Sequence, residues 1–446
     1  MVSFLRIIVW IFAAVIGRRR RAWQPGSPIE CLVVGFGGIS NAGAEARTAG
    51  AVRQMLDADP RVRVTLTSMD RLRSLRYLEE NERLHVAQLH HVFVWSVARL
   101  AARADIVVLV EGSCFKEIFS PALLWFFLFV AELAQRAGVP TVAYAVDAGM
   151  LTPRNARWAR DVAQRMDLLT VRTESAAQIL RTMGVTREIV VTTDTAFSLV
   201  SEARVWAKTV LAGSGIDFKK PIMGIVFEEF FWWPVVPRIW RALLGIKKDR
   251  YRSIYYHSWP GNAREQSSAM KDALASYADW AATELGAQVV FFAMQGIDVA
   301  PCREVVERMA APSVLFDAEH ASAAQLETLL RELDWLVTCR YDALVFSMGG
   351  AVPPIGLAHD ERIASIMDEL GMLNDYLISH EEERLLIHLK EKTSLLRSSS
   401  DRIRRRIESA MPRYLARMDE NKVRFAQLIA TQFIEEKPQD RNQPSS

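Results

Sequence analysis

Arg340 and Asp342 are the first candidates for chemistry in this sequence, because they follow an apolar run at residues 335–338. An arginine at the end of a buried strand is costly to bury unless it is paired. Its guanidinium can hold a carboxylate or a phosphate through two hydrogen bonds. The sequence therefore predicts an anion-binding site at Arg340, with a structural salt bridge to Asp342 or Asp298 as the alternative.

Other polar residues follow apolar runs in the same way. Glu111 and Ser113 come after the run at residues 105–110, and Arg172 and Asp194 come after two later runs. Loops at the carboxyl ends of parallel strands line the ligand crevice in open α/β sheets, so these residues are predicted to line a cleft. Glu111 is a possible acid or base there, although a solvated charge in a turn is the alternative.

His359 follows a further predicted strand at residues 352–357. Histidine titrates near neutral pH, so this side chain could carry a proton to or from a reaction. A lone exposed histidine more often has no chemical role, and the sequence fits both interpretations.

A glycine-rich segment lies between the first predicted strand and helix, and it contains Gly37, Gly38 and Asn41. Glycines let the backbone turn tightly and approach a ligand, and the N-terminus of the next helix offers N–H donors to an anion. The segment has neither the GK[ST] ending of a nucleotide-binding loop nor a regular GxGxxG pattern. It is predicted to bind substrate, and a tight structural turn explains it equally well.

The composition excludes several classes of protein. The 446 residues include 55 basic and 52 acidic side chains, a balance that argues against a nucleic-acid partner. The four cysteines form no CxxC pair, so neither a disulfide framework nor a zinc site is predicted and a cytoplasmic, reducing compartment is favoured. Histidines, cysteines and carboxylates show no metal-ligand spacing, and we predict neither a metal nor another cofactor.

Apolar strands and amphipathic helices alternate through the chain in two successive rounds. Residues 28–215 and residues 216–400 are each predicted to form a Rossmann-like α/β domain, with a cleft between the two. Residues 401–434 carry the pattern of an amphipathic helix, and the polar residues 435–446 are predicted to be disordered.

Two segments indicate contact with a membrane. Apolar residues 7–17 precede arginines 18–21, and this run is too short to span a bilayer. Residues 1–22 are therefore predicted to be a shallow anchor on the inner face of the plasma membrane, or a leader that packs on the body. Residues 227–248 mix tryptophans with basic residues, which is typical of a membrane interface or of a loop packed against the cleft.

Four groups of residues, in order along the chain, resemble motifs of the polysaccharide pyruvyl transferase family. The resemblance extends from about residue 31 to about residue 373. The groups are Asn41-Ala-Gly43-Ala-Glu45-Ala46, then Asp105 to Ser113, then Val171-Arg172-Thr173-Glu174-Ser175 with Asp194-Thr195-Ala196-Phe197, and finally Arg340-Tyr341-Asp342-Ala343 with Val352-Pro353.

The resemblance implies a GT-B-like arrangement of two domains. It also implies transfer of a pyruvyl group from phosphoenolpyruvate to a sugar of a cell-surface polysaccharide or of its lipid-linked precursor. Arg340 falls on the family's donor-binding arginine, Asp342 on its histidine, and Glu228 near a further arginine. An acid must protonate the enol carbon in such chemistry, a role for Asp342 or for His257 or His359.

The residues at positions 228 and 342 depart from the family's pattern, and two other functions fit the sequence. One is a glycosyltransferase of the same fold that uses a nucleotide-sugar donor. The other is a non-catalytic partner in a polysaccharide synthesis complex, with residues 227–248 as its docking surface.

Overall fold

Two parallel β-sheets, one from each half of the chain, form the frame of the molecule. Helices cover both sheets, and the two Rossmann-like domains of a GT-B-like fold result. The computed structural model describes residues 2–19, 23–89, 93–231, 236–237, 255–256, 259, 261–359 and 361–434.

The first sheet has seven parallel strands in the order β3-β2-β1-β4-β5-β6-β7. Central strand β4 is buried on both faces: Val107 and Leu109 join one apolar cluster, and Ile106 and Val108 join the other. The strands are β1 (Ile29–Gly37), β2 (Val62–Ser68), β3 (Leu84–Gln88), β4 (Ile106–Leu109), β5 (Thr141–Val146), β6 (Leu168–Val171) and β7 (Val190–Val191).

The second sheet has six parallel strands in the order β12-β11-β8-β13-β14-β15. A short antiparallel pair, β9 (Val236–Pro237) and β10 (Tyr255–Tyr256), lies outside it. The strands of the second sheet are β8 (Ile222–Val226), β11 (Gln288–Ala293), β12 (Ser313–Asp317), β13 (Trp335–Thr338), β14 (Pro354–Ala358) and β15 (Leu377–Ser379).

Helices connect successive strands, and several begin with a side-chain cap. Asn41 accepts a hydrogen bond from the backbone of Ala44, and Ser322 forms a capping box with Gln325. The described α-helices are α1 (Val2–Arg19), α2 (Ala42–Ala58), α3 (Arg71–Ser74), α4 (Phe93–Ala101), α5 (Pro121–Arg136), α6 (Pro153–Ala163), α7 (Glu174–Thr182), α8 (Arg204–Gly213), α9 (Ala263–Glu284), α10 (Val299–Arg308), α11 (Ala323–Leu330), α12 (Tyr341–Met348), α13 (Glu361–Glu369), α14 (Leu373–Tyr376) and α15 (Leu385–Gln432).

Helix α15 is 48 residues long and joins the two domains. Leu396 packs into the core of the second domain, whereas Phe425 packs into the core of the first. Asn421 is fully buried and its Oδ1 accepts hydrogen bonds from Thr170 at 2.7 Å and Thr192 at 3.0 Å. The boundary expected at residue 400 falls inside this helix, because the periodic burial of apolar side chains continues across it.

Helix α1 packs along α5 of the first domain. Val9 is buried, and Nη2 of Arg6 lies 3.2 Å from Oε1 of the fully buried Glu132. The opposite face of α1 exposes Ile7 and Ile11. No helix in the described part of the chain is both long enough and apolar enough to cross a bilayer.

Several sequence predictions fall outside the described residues. These are His257, the tail at residues 435–446, and most of the tryptophan-rich segment, namely residues 232–235 and 238–248.

Candidate functional site

A cavity of about 850 Å³, including its open mouth, lies between the two domains. Its wall is formed by loops that follow strands of both sheets, together with the start of α2 and of α12. The residues predicted from the sequence that line it are Asn41, Glu111, Ser113, Asp194, Glu228, Arg340 and Asp342.

Arg340 directly precedes α12, and its side chain forms part of the cavity wall. Its Nε and Nη2 atoms donate to Oδ2 of Asp298 at 3.1 and 2.5 Å, and Nη2 also donates to Gln295 at 2.9 Å. Its Nη1 atom lies 3.1 Å from Oε1 of Glu228. The salt bridge with Asp298 that the sequence allowed is therefore present, and the arginine already contacts two carboxyl groups.

Glu228 follows β8 and is 5% exposed. Burial is the largest influence and raises the pKa of Glu228 to about 8, although the positive charge of Arg340 opposes it. The neighbouring Asp298 and Asp342 raise the pKa further, because they would repel a second negative charge. Burial and the two aspartates thus favour the protonated form of Glu228.

His359 follows β14 and lies beside Glu228. Its Nε2 atom is 3.7 Å from Oε2 of Glu228, and its side chain is only 4% exposed. The imidazole stacks on Phe230, with ring centroids 4.3 Å apart and ring planes 3° from parallel. This stacking fixes the plane of the imidazole beside the glutamate.

A second cavity of about 1160 Å³ adjoins the first, and His359 lines it. The two cavities share Lys116, Ile118 and Arg362 in their walls. The second one also has apolar wall residues, among them Met150 and Leu151. Together the two cavities offer room for a small anionic ligand and a larger partner.

Arg172 does not line the first cavity, contrary to its predicted role in binding substrate. Its guanidinium is fully buried, with Nη1 2.5 Å from Oδ2 of Asp194 and Nη2 3.1 Å from Oδ2 of Asp147. It also lies 4.7 Å from the ring of Tyr341 in the other domain. Arg172 therefore lies behind the cavity wall and holds two carboxylates and one aromatic ring in place.

Gly37 and Gly38 also lie away from the cavity lining and form a structural turn. A side chain at Gly37 would meet the hydroxyl of Tyr77 at 3.0 Å. Gly38 has a φ of +80°, and a Cβ there would lie 2.5 Å from the backbone of Asp70. Gly38 is required because only glycine fits so close to a neighbouring backbone, whereas Gly37 makes room for the side chain of Tyr77.

The glycine-rich segment instead connects the domains. Nδ2 of Asn41 donates to Oε1 of Gln295 at 3.2 Å, and the backbone N–H of Ala42 donates to the carbonyl of Met294 at 2.9 Å. The start of α2 is thus hydrogen-bonded to the loop that follows β11. Asn41 positions the two walls of the cavity relative to each other.

Arg47 is a cavity residue that the sequence reasoning missed. Its Nη1 atom lies 2.5 Å from Oε1 of Glu111, and its Nε atom lies 3.7 Å from Oδ2 of Asp194. Its spacing in the sequence could have revealed it. Position 47 lies one helical turn after Ala44, which also lines the cavity, and so falls on the same face of α2.

Positive and negative side chains are equal in number in the described wall of the first cavity, with four of each. A neutral Glu228 leaves one positive charge in excess. These side chains are Arg47, Lys116, Arg340 and Arg362 against Glu111, Asp194, Glu228 and Asp342. Among the residues the structure describes, no group of histidines, cysteines and carboxylates is arranged to hold a metal ion.

A sequence model of the polysaccharide pyruvyl transferases matches residues 41–361 of this chain. The chain belongs to the polysaccharide pyruvyl transferase family. The matched region begins at Asn41 and includes Glu228, Arg340 and His359, and it contains most of the residues that line the two cavities. No curated protein matches the chain.

Solved structures of low sequence identity share the fold of this chain. MnaA from S. aureus with UDP has a TM-score of 0.60 and 13% identity, over 93% of this chain and 100% of that one. The UDP-GlcNAc 2-epimerase from Neisseria meningitidis bound to UDP-GlcNAc gives 0.55 and 11%, over 90% and 100%. HepE from Anabaena in complex with UDP-glucose gives 0.55 and 13%, over 90% and 98%.

Proposed function

We propose that this pyruvyl transferase moves the pyruvyl group of phosphoenolpyruvate to a hydroxyl of a sugar in the cavity between its domains. The observation that carries the proposal is the position of Arg340. This arginine corresponds to the family's donor-binding arginine, and its Nη1 atom faces the cavity beside Glu228. The acceptor we propose is a sugar of a cell-surface polysaccharide or of its lipid-linked precursor.

The charges of the cavity support an anionic donor when Glu228 is protonated. In that state the described wall has one positive charge in excess, and Nη1 of Arg340 faces a neutral carboxyl that a phosphate or a carboxylate can displace. Lys116 and Arg362, shared by the two cavities, add cations beside the path of the leaving phosphate.

Asp342 is suited to accept the proton of the attacking sugar hydroxyl. It replaces the family's histidine and lines the cavity, and its Oδ2 atom is buried with no hydrogen-bond partner among the described residues. Gly43 leaves the space for this carboxylate, because a Cβ at that position would lie 2.7 Å from the side chain of Asp342.

Calorimetric titration of the full-length protein with phosphoenolpyruvate tests the donor. We expect binding in the wild type and at least ~10-fold weaker binding in Arg340→Lys, since lysine cannot reproduce the fork of guanidinium N–H groups. Arg308→Lys is the matched control, because Arg308 pairs with Asp272 on the surface of the same domain. Absence of phosphoenolpyruvate binding in the wild type would refute the proposed donor.

Glycosyl transfer from a nucleotide sugar is the second candidate, and the existing contacts of Arg340 favour it. This guanidinium already donates hydrogen bonds to Asp298 and Gln295, so few of its N–H groups remain to bind phosphoenolpyruvate. Structures of the same fold hold UDP or UDP-glucose. Binding of nucleotide sugars alone in the same titrations would select this function, and binding of neither ligand would select a non-catalytic partner of a synthesis complex.

The exposed face of α1 supports attachment to the inner face of the plasma membrane. Phe4, Ile7 and Ile11 are each about 60% exposed on one side of the helix. Trp95 of α4 is 68% exposed beside them and packs against Phe12. An apolar helical face followed by a basic cluster suits the surface of an anionic bilayer, where a lipid-linked acceptor would be found.

A further inference from the structure

The family's histidine is absent from position 342, and the structure offers another proton donor at the same edge of the second sheet. Strands β8, β13 and β14 are neighbours in that sheet. The residues that follow them, Glu228, Arg340 and His359, therefore stand side by side at the carboxyl ends of three adjacent strands. Arg340 follows the middle strand, and the carboxyl group of Glu228 reaches both of the other side chains, with Oε1 3.1 Å from Nη1 of the arginine and Oε2 3.7 Å from Nε2 of the histidine.

We propose that Glu228 is the general acid that protonates the methylene carbon of the donor, and that His359 returns a proton to it. The assignment rests on the proposed pyruvyl transfer. Glu228 lines the cavity beside the arginine that would hold the donor, which places its carboxyl next to the reacting group. A catalytic acid needs to reach the carbon it protonates and to carry its proton at the working pH.

The surroundings of Glu228 keep it protonated. Arg340, Asp298, Asp342, Arg362 and His359 are the charged or titratable groups that face it, and the backbone N–H of Glu228 donates to Sγ of Cys339. Burial outweighs the two arginines and raises the pKa of Glu228, and the two aspartates act in the same direction.

His359 lies beside Glu228 and lines the second cavity, although both of its ring nitrogens are buried. Its imidazole lines the second, wider cavity, while its Nε2 atom faces the glutamate in the first. Stacking on Phe230 holds the ring between the two cavities, and His380 packs edge-on against the other side of this phenylalanine. A proton taken up from the wider cavity can thus reach the buried acid.

The proposed reaction balances with these groups. The π electrons of the donor form a C–H bond with the proton of Glu228, and a sugar hydroxyl oxygen bonds to the adjacent carbon while its proton passes to Asp342. A second sugar hydroxyl then displaces the phosphate, which leaves with the C–O electron pair and the second hydroxyl proton. The products are a ketal with a methyl group and inorganic phosphate. His359 then returns one proton to Glu228, and Asp342 releases the proton of the first hydroxyl to water, which resets both groups.

Phosphoenolpyruvate affinity as a function of pH tests the protonation of Glu228 without an acceptor. Ionisation of Glu228 would put a negative charge beside the donor, so wild-type affinity should fall ~10-fold or more between about pH 7 and about pH 9. Glu228→Gln should bind phosphoenolpyruvate as tightly at both pH values. A pH dependence that persists in Glu228→Gln, or that is absent from the wild type, would overturn the assignment.

Turnover tests the proton transfer itself. With phosphoenolpyruvate and a panel of p-nitrophenyl hexopyranosides in deuterated buffer, the wild type should release phosphate and place deuterium in the methyl group of the product. Glu228→Gln should keep donor binding at neutral pH and lose ~100-fold or more in rate. His359→Asn should bind phosphoenolpyruvate normally. Its turnover rate should fall most at high pH, where the return of a proton to Glu228 is slowest.

Glu327→Gln is the matched control for these measurements. Glu327 is also a buried acid of the second domain, and burial raises its pKa to about 7, but it pairs with Arg331 away from the cavities. It should retain wild-type rate and pH dependence. If Glu228→Gln turned over at the wild-type rate, the assignment of Glu228 as the general acid would be wrong, but pyruvyl transfer would stand. If the wild type neither bound nor consumed phosphoenolpyruvate, the proposed function would be wrong as well.

Discussion

Oδ2 of Asp298 accepts hydrogen bonds from Nη2 of Arg340 at 2.5 Å and from the backbone N–H of Gln295 at 3.0 Å. This aspartate thereby fixes the guanidinium with its Nη1 atom towards Glu228. The proposed donor site is consequently an arginine placed between two acids. Its net charge depends on how many of those acids are ionised.

Asp298→Asn should shift the pH at which phosphoenolpyruvate affinity falls. The charge of Asp298 raises the pKa of Glu228, so its removal lets Glu228 ionise at lower pH. We expect the midpoint to move down by roughly 1 pH unit, because the two groups share one buried arginine. Calorimetry over a pH series measures this shift, and a midpoint that stays in place or rises contradicts the coupling.

Gly43→Ala should impair the site through crowding alone. The new methyl group would lie 2.7 Å from the side chain of Asp342, across the contact between the domains. We expect a loss of stability of about 1–3 kcal/mol and weaker donor binding, as for other overpacked sites. Gly213→Ala is the control, because a Cβ there meets nothing within 4 Å. Equal melting temperatures of the two variants would show that Asp342 moves aside freely.

Asn421→Ala should weaken the attachment of α15 to the first domain. The change removes the acceptor of the Thr170 and Thr192 hydroxyls and a donor to the carbonyl of Thr193. Both hydroxyls keep a backbone carbonyl as a partner, so a cost of about 1–2 kcal/mol is expected. Denaturant unfolding measures it, with Gln427→Ala on the exposed side of the same helix as the control. A variant as stable as this control would mean that apolar contacts alone hold the helix.

Ile7→Asp combined with Ile11→Asp should abolish binding to vesicles of phosphatidylglycerol and phosphatidylethanolamine. Both side chains lie on the exposed face of α1, where a charge opposes insertion into the interface. Leu72→Asp, in exposed helix α3, should leave vesicle binding intact. Co-sedimentation checks the result, and wild-type protein that stays in the supernatant would argue against a membrane role for α1.

The two-domain fold and much of the cavity wall could be predicted from the sequence. Apolar runs as short and continuous as residues 106–109 are typical of parallel strands covered on both faces, and residues at their carboxyl ends must share one edge. Glu111 and Arg340 were found in this way, since each follows such a run, whereas Glu228 was found through the resemblance to the family.

Pairings between distant elements could not be predicted. Arg172 follows a strand just as Arg340 does, yet it is buried in ion pairs with Asp147 and Asp194. The order of the strands along the sequence does not predict these ion pairs. Gly38 lies in a segment whose composition is typical of a ligand-binding loop. Its φ of +80° is instead explained by its close contact with the backbone of Asp70. The acid–histidine pair of Glu228 and His359 joins loops more than a hundred residues apart, so only the folded chain reveals it.

Helix α15 has a mechanical consequence for how the cavities exchange ligands. Any hinge motion that separates the domains must bend this helix, because its two ends are buried in different cores. Pro412 lies inside it and cannot donate a hydrogen bond to the carbonyl of Glu408, which makes this turn the cheapest place to bend. The helix would then resist opening of the cleft elastically, and the turn at Pro412 would take up most of the bend.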